Sequence, residues 1–342
     1  MQPHGSLDHR LLNDYQRGFP LLSKPFAHIA RELGTSSDDV ITRLQSLQAE
    51  GAVSRVGPVF RPNTVGASTL AAMAVPPAQL EEVAETINAF TEVNHNYERE
   101  HRFNLWFVVT AADEAGLKDA LERTASATGY EVLSLPLEQD YHIDLGFHMS
   151  DGACASRTFD GHARTTQLTS SAGVQDSSLI SAIQGGLALC ERPFDVVARQ
   201  IGQSESQVIE RIQALLRDGT IKRFGVVVRH HELGYRANAM AVWDVPDERV
   251  DKLGRQLGGL PWVTLCYRRR RHRPQWTYNL YCMIHGRERD AVCRRIERIV
   301  QEYDMAGCAH AVLFSQRRFK QRGAYYRALR SSDAQAEVHG HA

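Results

Sequence analysis

Two segments of the chain concentrate side chains that bind anions, exchange protons or stack on flat rings. They are VNHNYEREHRFNLWFVV at 93–109 and YRRRRHRPQWTYNLYCMIHG at 267–286. Arginine binds carboxylates through a planar fork of donors, histidine donates protons or ligates metals near neutral pH, and an aromatic sheet face packs against a ring. These residue types together favour a flat, anionic, aromatic ligand.

The first segment is predicted to form two strands joined by a turn. Alternation along the first strand places His95 and Tyr97 on one face and Asn94, Asn96 and Glu98 on the other. The candidate site residues of this segment are His95, Tyr97, Arg99, His101, Arg102 and Trp106.

The second segment is also predicted to be a hairpin, and a basic run, 268–273, lies at its turn. If the strand continues through the run, alternation places Arg268 and Arg270 on one face and Arg269 and Arg271 on the other. One interpretation of the run is an anion clamp at the open face of a sheet, and the other is a solvated hairpin tip. The candidate site residues here are Tyr267, Arg268, Arg270, His272, Trp276, Tyr278, Asn279 and His285.

The formal net charge of the chain is zero, with 40 basic and 40 acidic residues, but the charges are unevenly distributed. Residues 1–165 contain 13 Lys and Arg against 22 Asp and Glu, and residues 166–342 contain 27 against 18. The two halves should therefore attract each other. Only five basic residues are lysines, which favours bidentate anion binding, although a GC-rich genome would give the same bias.

The chain is an internal duplication with an offset of 168 residues. Residues 18–66 and 186–234 align without a gap and share 19 identities in 49 columns. The fold is therefore predicted for one repeat unit that occurs twice in the chain.

Each copy begins with the pattern of a winged helix-turn-helix. An apolar helix ends at Gly34 or Gly202, a second helix follows polar capping residues, and a short strand comes next. The rest of each copy alternates between strand and helix periods in the order βαββαβ, which is the ferredoxin-like arrangement. The predicted fold class is therefore α+β, a tandem duplication of a winged helix-turn-helix and an AsnC-like βαββαβ domain.

The same patterns predict six segments. They are a helix-turn-helix domain at 6–57, an AsnC-like domain at 58–147, a flexible linker at 148–178, a second helix-turn-helix domain at 179–225, a second AsnC-like domain at 226–328 and a disordered tail at 329–342.

The chain has the order of domains found in the Lrp/AsnC transcriptional regulators, so DNA binding is the alternative function. A recognition helix enters the major groove N-terminus first, past the phosphates. Here the two candidate helices carry Asp38, Asp39, Glu205 and Glu210 in that region, where carboxylates would repel the polyanion. Sequence-specific DNA binding is therefore the weaker prediction.

The sequence shows no secretory signal, no apolar stretch long enough to span a membrane and no cysteine pair with metal-ligand spacing. The six cysteines are predicted to be reduced, small apolar residues, and the predicted location is the cytoplasm.

Four stretches resemble the sirohaem decarboxylases, an Lrp/AsnC-like family of paired or fused subunits. RVGPVFRPNTVGASTLAAMAVP (55–76) and NHNYEREHRFNLWFV (94–108) resemble one subunit type, and FGVVVRHHELGYRANAMAVWDVP (224–246) and CYRRRRHRPQWTYNLYCMIHG (266–286) resemble the other. The resemblance covers nearly the whole chain outside the linker and tail, and is to the fused D–L form. Thr277 departs from it, since the family often has proline there.

The resemblance implies that two ring acetates of sirohaem, at C12 and C18, lose CO2 and become methyl groups during biosynthesis of haem d1 or haem. Arginines would hold the substrate carboxylates, and a histidine would act as general acid. The histidines ranked first for this role are His95, His101, His272 and His285. Further candidates for substrate binding are Arg229, His230, His231 and Arg318.

The resemblance also implies the ligands and partners of the chain. The iron tetrapyrrole is the substrate, its product can stay bound, and neither a separate cofactor nor a protein metal site is expected. A histidine that ligates the iron would have the same spacing as one that donates a proton, so both roles remain open. A homodimer through the AsnC-like domains and other haem d1 pathway proteins are candidate partners, whereas specific DNA and a membrane are not expected.

Overall fold

A computed structural model describes residues 6–143, 174–228, 237–323 and 326. The first copy contains α1 (Ser6–Asp14), α2 (Pro25–Leu33), α3 (Ser37–Ala49), β1 (Val53–Phe60), β2 (Ala67–Met73), α4 (Leu80–Ala89), β3 (Val93–Arg99), β4 (Leu105–Ala111), α5 (Glu114–Thr128) and β5 (Leu133–Ile143). The second contains α6 (Val174–Ile183), α7 (Pro193–Ile201), α8 (Glu205–Arg217), β6 (Ile221–Val228), β7 (Ala237–Trp243), α9 (Asp247–Gly258), β8 (Val263–Arg269), β9 (Leu280–Gly286), α10 (Arg289–Glu302) and β10 (His310–Gln321). None of these helices is both long and apolar enough to cross a membrane.

The predicted helix-turn-helix units form in both copies for the same local reasons. Gly34 and Gly202 end α2 and α7 with φ of 69° and 68°, a left-handed conformation that glycine adopts at little cost. Ser36 and Ser204 then cap α3 and α8, and each exchanges hydrogen bonds with the residue three positions later. The helices of both copies pack around one shared apolar core.

The wing strands β1 and β6 pair with each other in an antiparallel ladder, with Gly57 opposite Gly225. The predicted domain boundaries at 57/58 and 225/226 fall inside these strands, because the pairing extends both wings by three residues. Helix α6 begins at Val174, inside the predicted linker, while the predicted tail lies outside the described residues.

The two βαββαβ units form four-stranded sheets, β3-β4-β2-β5 and β8-β9-β7-β10. The sheets join at both edges, where β10 pairs with β3 and β5 pairs with β8, so the eight strands close on themselves. The four helices of these units cover the outer face over two apolar clusters, and a third apolar cluster lies between the sheets.

At each of the two joints, a carboxylate of the first copy forms an ion pair with an arginine of the second copy. At the joint between β3 and β10, the Glu98 carboxylate lies 2.5 Å from Nε of Arg317. At the joint between β5 and β8, the Glu138 carboxylate lies 2.9 Å from Nε of Arg268. Unlike charges therefore meet across both joints, in agreement with the attraction expected between the two halves of the chain.

Candidate functional site

The inner face of the closed sheet repeats one pair of polar side chains. With an offset of 170 residues, VNHNYER (93–99) aligns with VTLCYRR (263–269), so Tyr97 corresponds to Tyr267 and Arg99 to Arg269. The four side chains point inward, between the sheets, in both copies. Tyr97 therefore lies on the opposite face of β3 from Glu98, which pairs outward with Arg317, as the predicted alternation requires.

Each inner arginine is held in the same way. Nη1 of Arg99 donates to the carbonyl of Leu313 at 3.1 Å, and Nη1 of Arg269 donates to the carbonyl of Leu135 at 2.6 Å. The guanidinium carbon lies 5.7 Å from the ring centre of Tyr97 for Arg99 and 4.7 Å from that of Tyr267 for Arg269.

The Nε atom of each inner arginine is buried and has no hydrogen-bond partner among the described residues. A buried donor of this kind is costly unless a ligand or water satisfies it. Burial also lowers the pKa of Arg99 from its ordinary value, because a charge is unfavourable in apolar surroundings. An anion between the sheets would offset both costs. Arg269 was not among the sequence candidates, although its equivalence to Arg99 was available from the repeat.

His95 lies on the inner face, with its ring centre 6.2 Å from that of Tyr97. Burial lowers its pKa to about 4, and the positive charge of Arg55 acts in the same direction. A hydrogen bond to the Arg322 backbone opposes the shift, and since it favours the protonated ring, its acceptor is the carbonyl. One ring nitrogen therefore holds its proton on that carbonyl, and the other is unprotonated and suited to a metal ligand.

His285 lies on the inner side of β9. Burial lowers its pKa to about 4, and the neighbouring charge of Arg99 contributes to the shift. His285 and Arg99 therefore face the same inner region from different sheets, and the ring is neutral near pH 7 in the ligand-free chain.

His101 is in the turn between β3 and β4, where its Nδ1 accepts the backbone N–H of Phe103 at 3.0 Å. In the neutral ring the proton is therefore on Nε2, and half-burial with the charge of Arg102 lowers the pKa. This tautomer suits a hydrogen-bond donor better than an iron ligand or a general acid. His272 is in the opposite turn, where its backbone pairs with that of Trp276.

An aromatic cluster fills the space between the two turns. Trp106 and Trp276 are 1% exposed, with ring centres 5.0 Å apart, and Tyr278 packs on Trp276 at 4.9 Å. The indole N–H of Trp106 donates to the carbonyl of Phe103, and that of Trp276 donates to the hydroxyl of Tyr281. The two tryptophans are thus part of the apolar cluster between the sheets, and their contact with the substrate stays a prediction.

Asn279 has a structural role, and its predicted role in substrate binding stays a prediction. Its side-chain amide accepts from Val245 N at 2.9 Å and donates to Val245 O at 3.0 Å. Asn104 makes the same two bonds to Val75 in the first copy. The bonds to the backbone of Val245 explain why a buried polar residue is present at position 279.

The basic run does not form the predicted clamp. Arg268 points outward and contacts Glu138, Asp247 and Asp251, while Arg271 binds Asp244 and Asp247 at 2.7 Å each. The two arginines share a partner because β8 ends at Arg269, so the predicted alternation stops there.

Arg270 is exposed and lies 3.7 Å from Glu138, whereas Arg269 reaches the inner face. Arg102 is exposed and lies over the ring of Phe103 at 5.4 Å. Arg318, opposite Tyr97 on β10, is an exposed residue whose Nη1 donates to the Gln321 side chain at 3.1 Å. Arg229, His230 and His231 lie outside the described residues.

The helices that would enter a DNA groove use their central arginines internally. Arg43 of α3 binds Asp8 through two nitrogens, at 2.5 and 2.7 Å, and Glu50 through a third at 2.9 Å. Arg211 of α8 makes the equivalent two bonds to Asp176. These cations are therefore neutralised within the domain and do not offset the carboxylates at the start of each helix.

Comparisons with known proteins agree with the fold. A family model described as "Siroheme decarboxylase NirDL-like HTH domain" matches residues 8–53 and 176–221, and one described as "AsnC-like ligand binding domain" matches 65–142 and 232–320. The chain is 44% identical to a "Siroheme decarboxylase NirDL subunit" of Paracoccus denitrificans over 93% of this chain and 96% of that one. It is 32% identical to a "Siroheme decarboxylase" of Hydrogenobacter thermophilus over 91% and 92%.

Two solved structures of siroheme decarboxylase NirDL also resemble the chain. Each is 28% identical and covers 94% of both chains, with TM-scores of 0.67 and 0.65. The second is a complex with an iron-uroporphyrin III analogue.

Proposed function

Because the chain belongs to the sirohaem decarboxylase family of the NirDL type, we propose that it is a carboxy-lyase that removes carboxylate from the C12 and C18 acetates of sirohaem. The products are 12,18-didecarboxysirohaem and two CO2. The observation that carries the proposal is the pair of inner arginines, Arg99 and Arg269, whose buried Nε atoms lack a partner within the described part of the chain. An anionic ring bound between the sheets would satisfy both.

The inner arginines bind substrate carboxylates and fix the orientation of the ring. A charge-assisted hydrogen bond contributes about 1.5–3 kcal/mol, more than a neutral one. Tyr97 and Tyr267 flank these arginines and pack against them, so the guanidinium groups are held before the substrate arrives.

Each decarboxylation breaks the bond between the acetate methylene and its carboxyl carbon. CO2 leaves, the electron pair stays on the methylene carbon, and conjugation with the macrocycle disperses the developing charge. A proton then forms the third C–H bond of the new methyl group. The step needs one proton and no external electron acceptor.

His285 supplies this proton. In the ligand-free chain its pKa is about 4, so the ring is mostly neutral near pH 7. A bound carboxylate brings negative charge that offsets Arg99 and raises the pKa, so the substrate itself promotes protonation of the ring. His95, whose second nitrogen is held unprotonated by the bond to Arg322, ligates the substrate iron. His101 donates a hydrogen bond through Nε2.

Anaerobic incubation of the purified chain with sirohaem tests the proposal. Mass spectrometry should show a product lighter by two CO2, with a singly decarboxylated species at early times. His285→Gln should retain bound pigment and lose turnover, whereas Thr277→Pro, which introduces the residue that the family often has at this position, should keep both. Sirohaem that stays bound and unchanged by the unmodified chain would exclude the decarboxylase activity.

A further inference from the structure

The repeat produces two pseudo-equivalent regions on the inner face, one at each joint between the sheets. We call them the first lobe, formed by β3 and β10, and the second lobe, formed by β8 and β5. In the first lobe Tyr97 lies opposite Arg318, and in the second Tyr267 lies opposite Asp140. The regions therefore share their tyrosines and differ in the residue that faces each one.

The second difference is at the position two residues before each tyrosine. The first lobe has His95, which lies opposite Gln321, and the second has Leu265, which lies opposite Ile143. Leucine can neither ligate a metal nor move a proton, so the second lobe lacks the chemistry of the first.

The second lobe also contains its own carboxylate. Asp140 has a side chain that is only 19% exposed, and Oδ1 accepts from Nη2 of Arg61 at 3.1 Å. Arg61 follows the wing strand β1, so the helix-turn-helix unit contributes the cation. An incoming carboxylate would have to displace Asp140 from Arg61 and then lie beside a displaced negative charge, which is unfavourable in partly buried surroundings.

We infer that the iron of the substrate lies in the first lobe, beside His95, and that Asp140, Arg61 and Leu265 close the equivalent place in the second lobe, so that each chain holds one iron tetrapyrrole. Arg99 and Arg269, one from each lobe, bind the carboxylates of that single ring. This inference rests on the proposed function for the identity of the ligand. The two lobes therefore have different functions. The first contains His95 and Arg318, and the second contains Asp140 at the position equivalent to Arg318.

Variants that exchange equivalent residues between the two lobes test this difference in function. Purified chains are titrated with iron uroporphyrin III, followed by absorbance, and bound iron is counted per chain. The unmodified chain should bind one equivalent. His95→Leu and Arg318→Asp, which give the first lobe the residues of the second, should each raise Kd at least about tenfold. His95→Asn replaces His95→Leu if the latter does not fold.

The controls are the matched changes in the second lobe. Leu265→His and Asp140→Asn should leave Kd and the stoichiometry of the first lobe unchanged. Two equivalents of equal affinity in the unmodified chain, or a loss of affinity in the second-lobe variants as large as that in the first-lobe variants, would overturn the inference.

The sirohaem assay separates this inference from the proposed function. If the unmodified chain binds one equivalent with the expected dependence on His95 and Arg318 but releases no CO2, the lobe assignment stands and the decarboxylase activity fails. If it releases CO2 and the second-lobe variants lose binding, the activity stands and the lobe assignment fails. A chain that binds no iron tetrapyrrole contradicts both.

Discussion

Glu98 and Arg268 occupy equivalent positions in the two copies and have opposite charges. Each faces outward one residue before an inner arginine, and each binds a residue of the other copy across a joint, Arg317 for Glu98 and Glu138 for Arg268. The duplication has thus diverged into complementary edges. Complementary charges across a joint favour the pairing of unlike edges and oppose the pairing of two identical ones.

Reversing the charge at one joint should weaken the closed sheet. In Glu98→Arg, two cations would face each other across β3 and β10, and we expect a loss of about 0.5–1 kcal/mol, the range for exposed pairs. Urea denaturation measures the loss. Adding Arg317→Glu should recover only part of it, because Glu81 also binds Arg317. Equal stability of the single variant and the unmodified chain would show that the pair contributes nothing.

Arginines next to each other in the basic run should have separable effects. Arg269→Ala removes an inner donor and should weaken binding of iron uroporphyrin III by about 1–3 kcal/mol, or about 5- to 150-fold. Arg271→Ala should leave binding unchanged and lower stability, because it breaks bonds to Asp244 and Asp247. Arg270→Ala, at an exposed position, is the control for both measurements. Equal binding by Arg269→Ala and the control would exclude the inner arginine from the site.

Asn279→Ala should affect stability and not binding. The change leaves the backbone N–H and C=O of Val245 without their side-chain partners. Each unsatisfied buried group lowers the free energy of unfolding by about 1–3 kcal/mol. Asn104→Ala should have a similar effect in the first copy. Thermal unfolding and tetrapyrrole titration of both variants distinguish the roles, and weakened binding by a variant of normal stability would return Asn279 to the site.

His285 should make the ligand-free chain less stable in acid. Its pKa is about 4 in the folded chain and about 6.5 in an unfolded one. Between these values the unfolded chain binds more protons, so the contribution of His285 is complete above about pH 6.5 and is lost as the pH falls towards about 4. His285→Gln should reduce the slope of unfolding free energy against pH in that window. An unchanged slope would mean that His285 is solvated in the folded chain.

The helix-turn-helix units should not bind DNA specifically. Their central arginines bind Asp8 and Asp176, and carboxylates lie at the start of α3 and α8. A gel-shift screen of genomic fragments at low salt should show no sequence-specific complex. A complex that weakens steeply with added salt would contradict this, since the release of counterions has that signature.

Sequence patterns determined the elements of this fold but not how its edges meet. Helix and strand periods, glycine caps and the repeat were enough for two winged helix-turn-helix units and two βαββαβ units. The joints escaped prediction because β10 is 12 residues long and divides its pairing between β7 and β3. Periodicity describes the faces of a strand and is silent on the partner of its edge.

The site was predictable where it depends on alternation and missed where a strand ends. His95 and Tyr97 share the inner face as expected, with Asn96 bonded to α4 on the other side. Alternation could not be extended through the basic run because β8 ends at Arg269. Composition alone also does not distinguish an arginine that binds a ligand from one that binds a carboxylate of the chain, as Arg271 binds Asp244. Trp106 and Trp276 have the residue type of a stacking platform, but their burial depends on two turns packing together, which is a property of the tertiary structure.

The two joints have a further consequence for assembly. Curated relatives named NirD and NirL subunits each match less than half of this chain, so in those proteins the two halves are separate molecules. Here residues 144–173 join β5 to α6 within one polypeptide, so the two copies cannot diffuse apart. Closure of the eight strands is then a unimolecular event. Dilution cannot separate the copies, and they are always made in equal number.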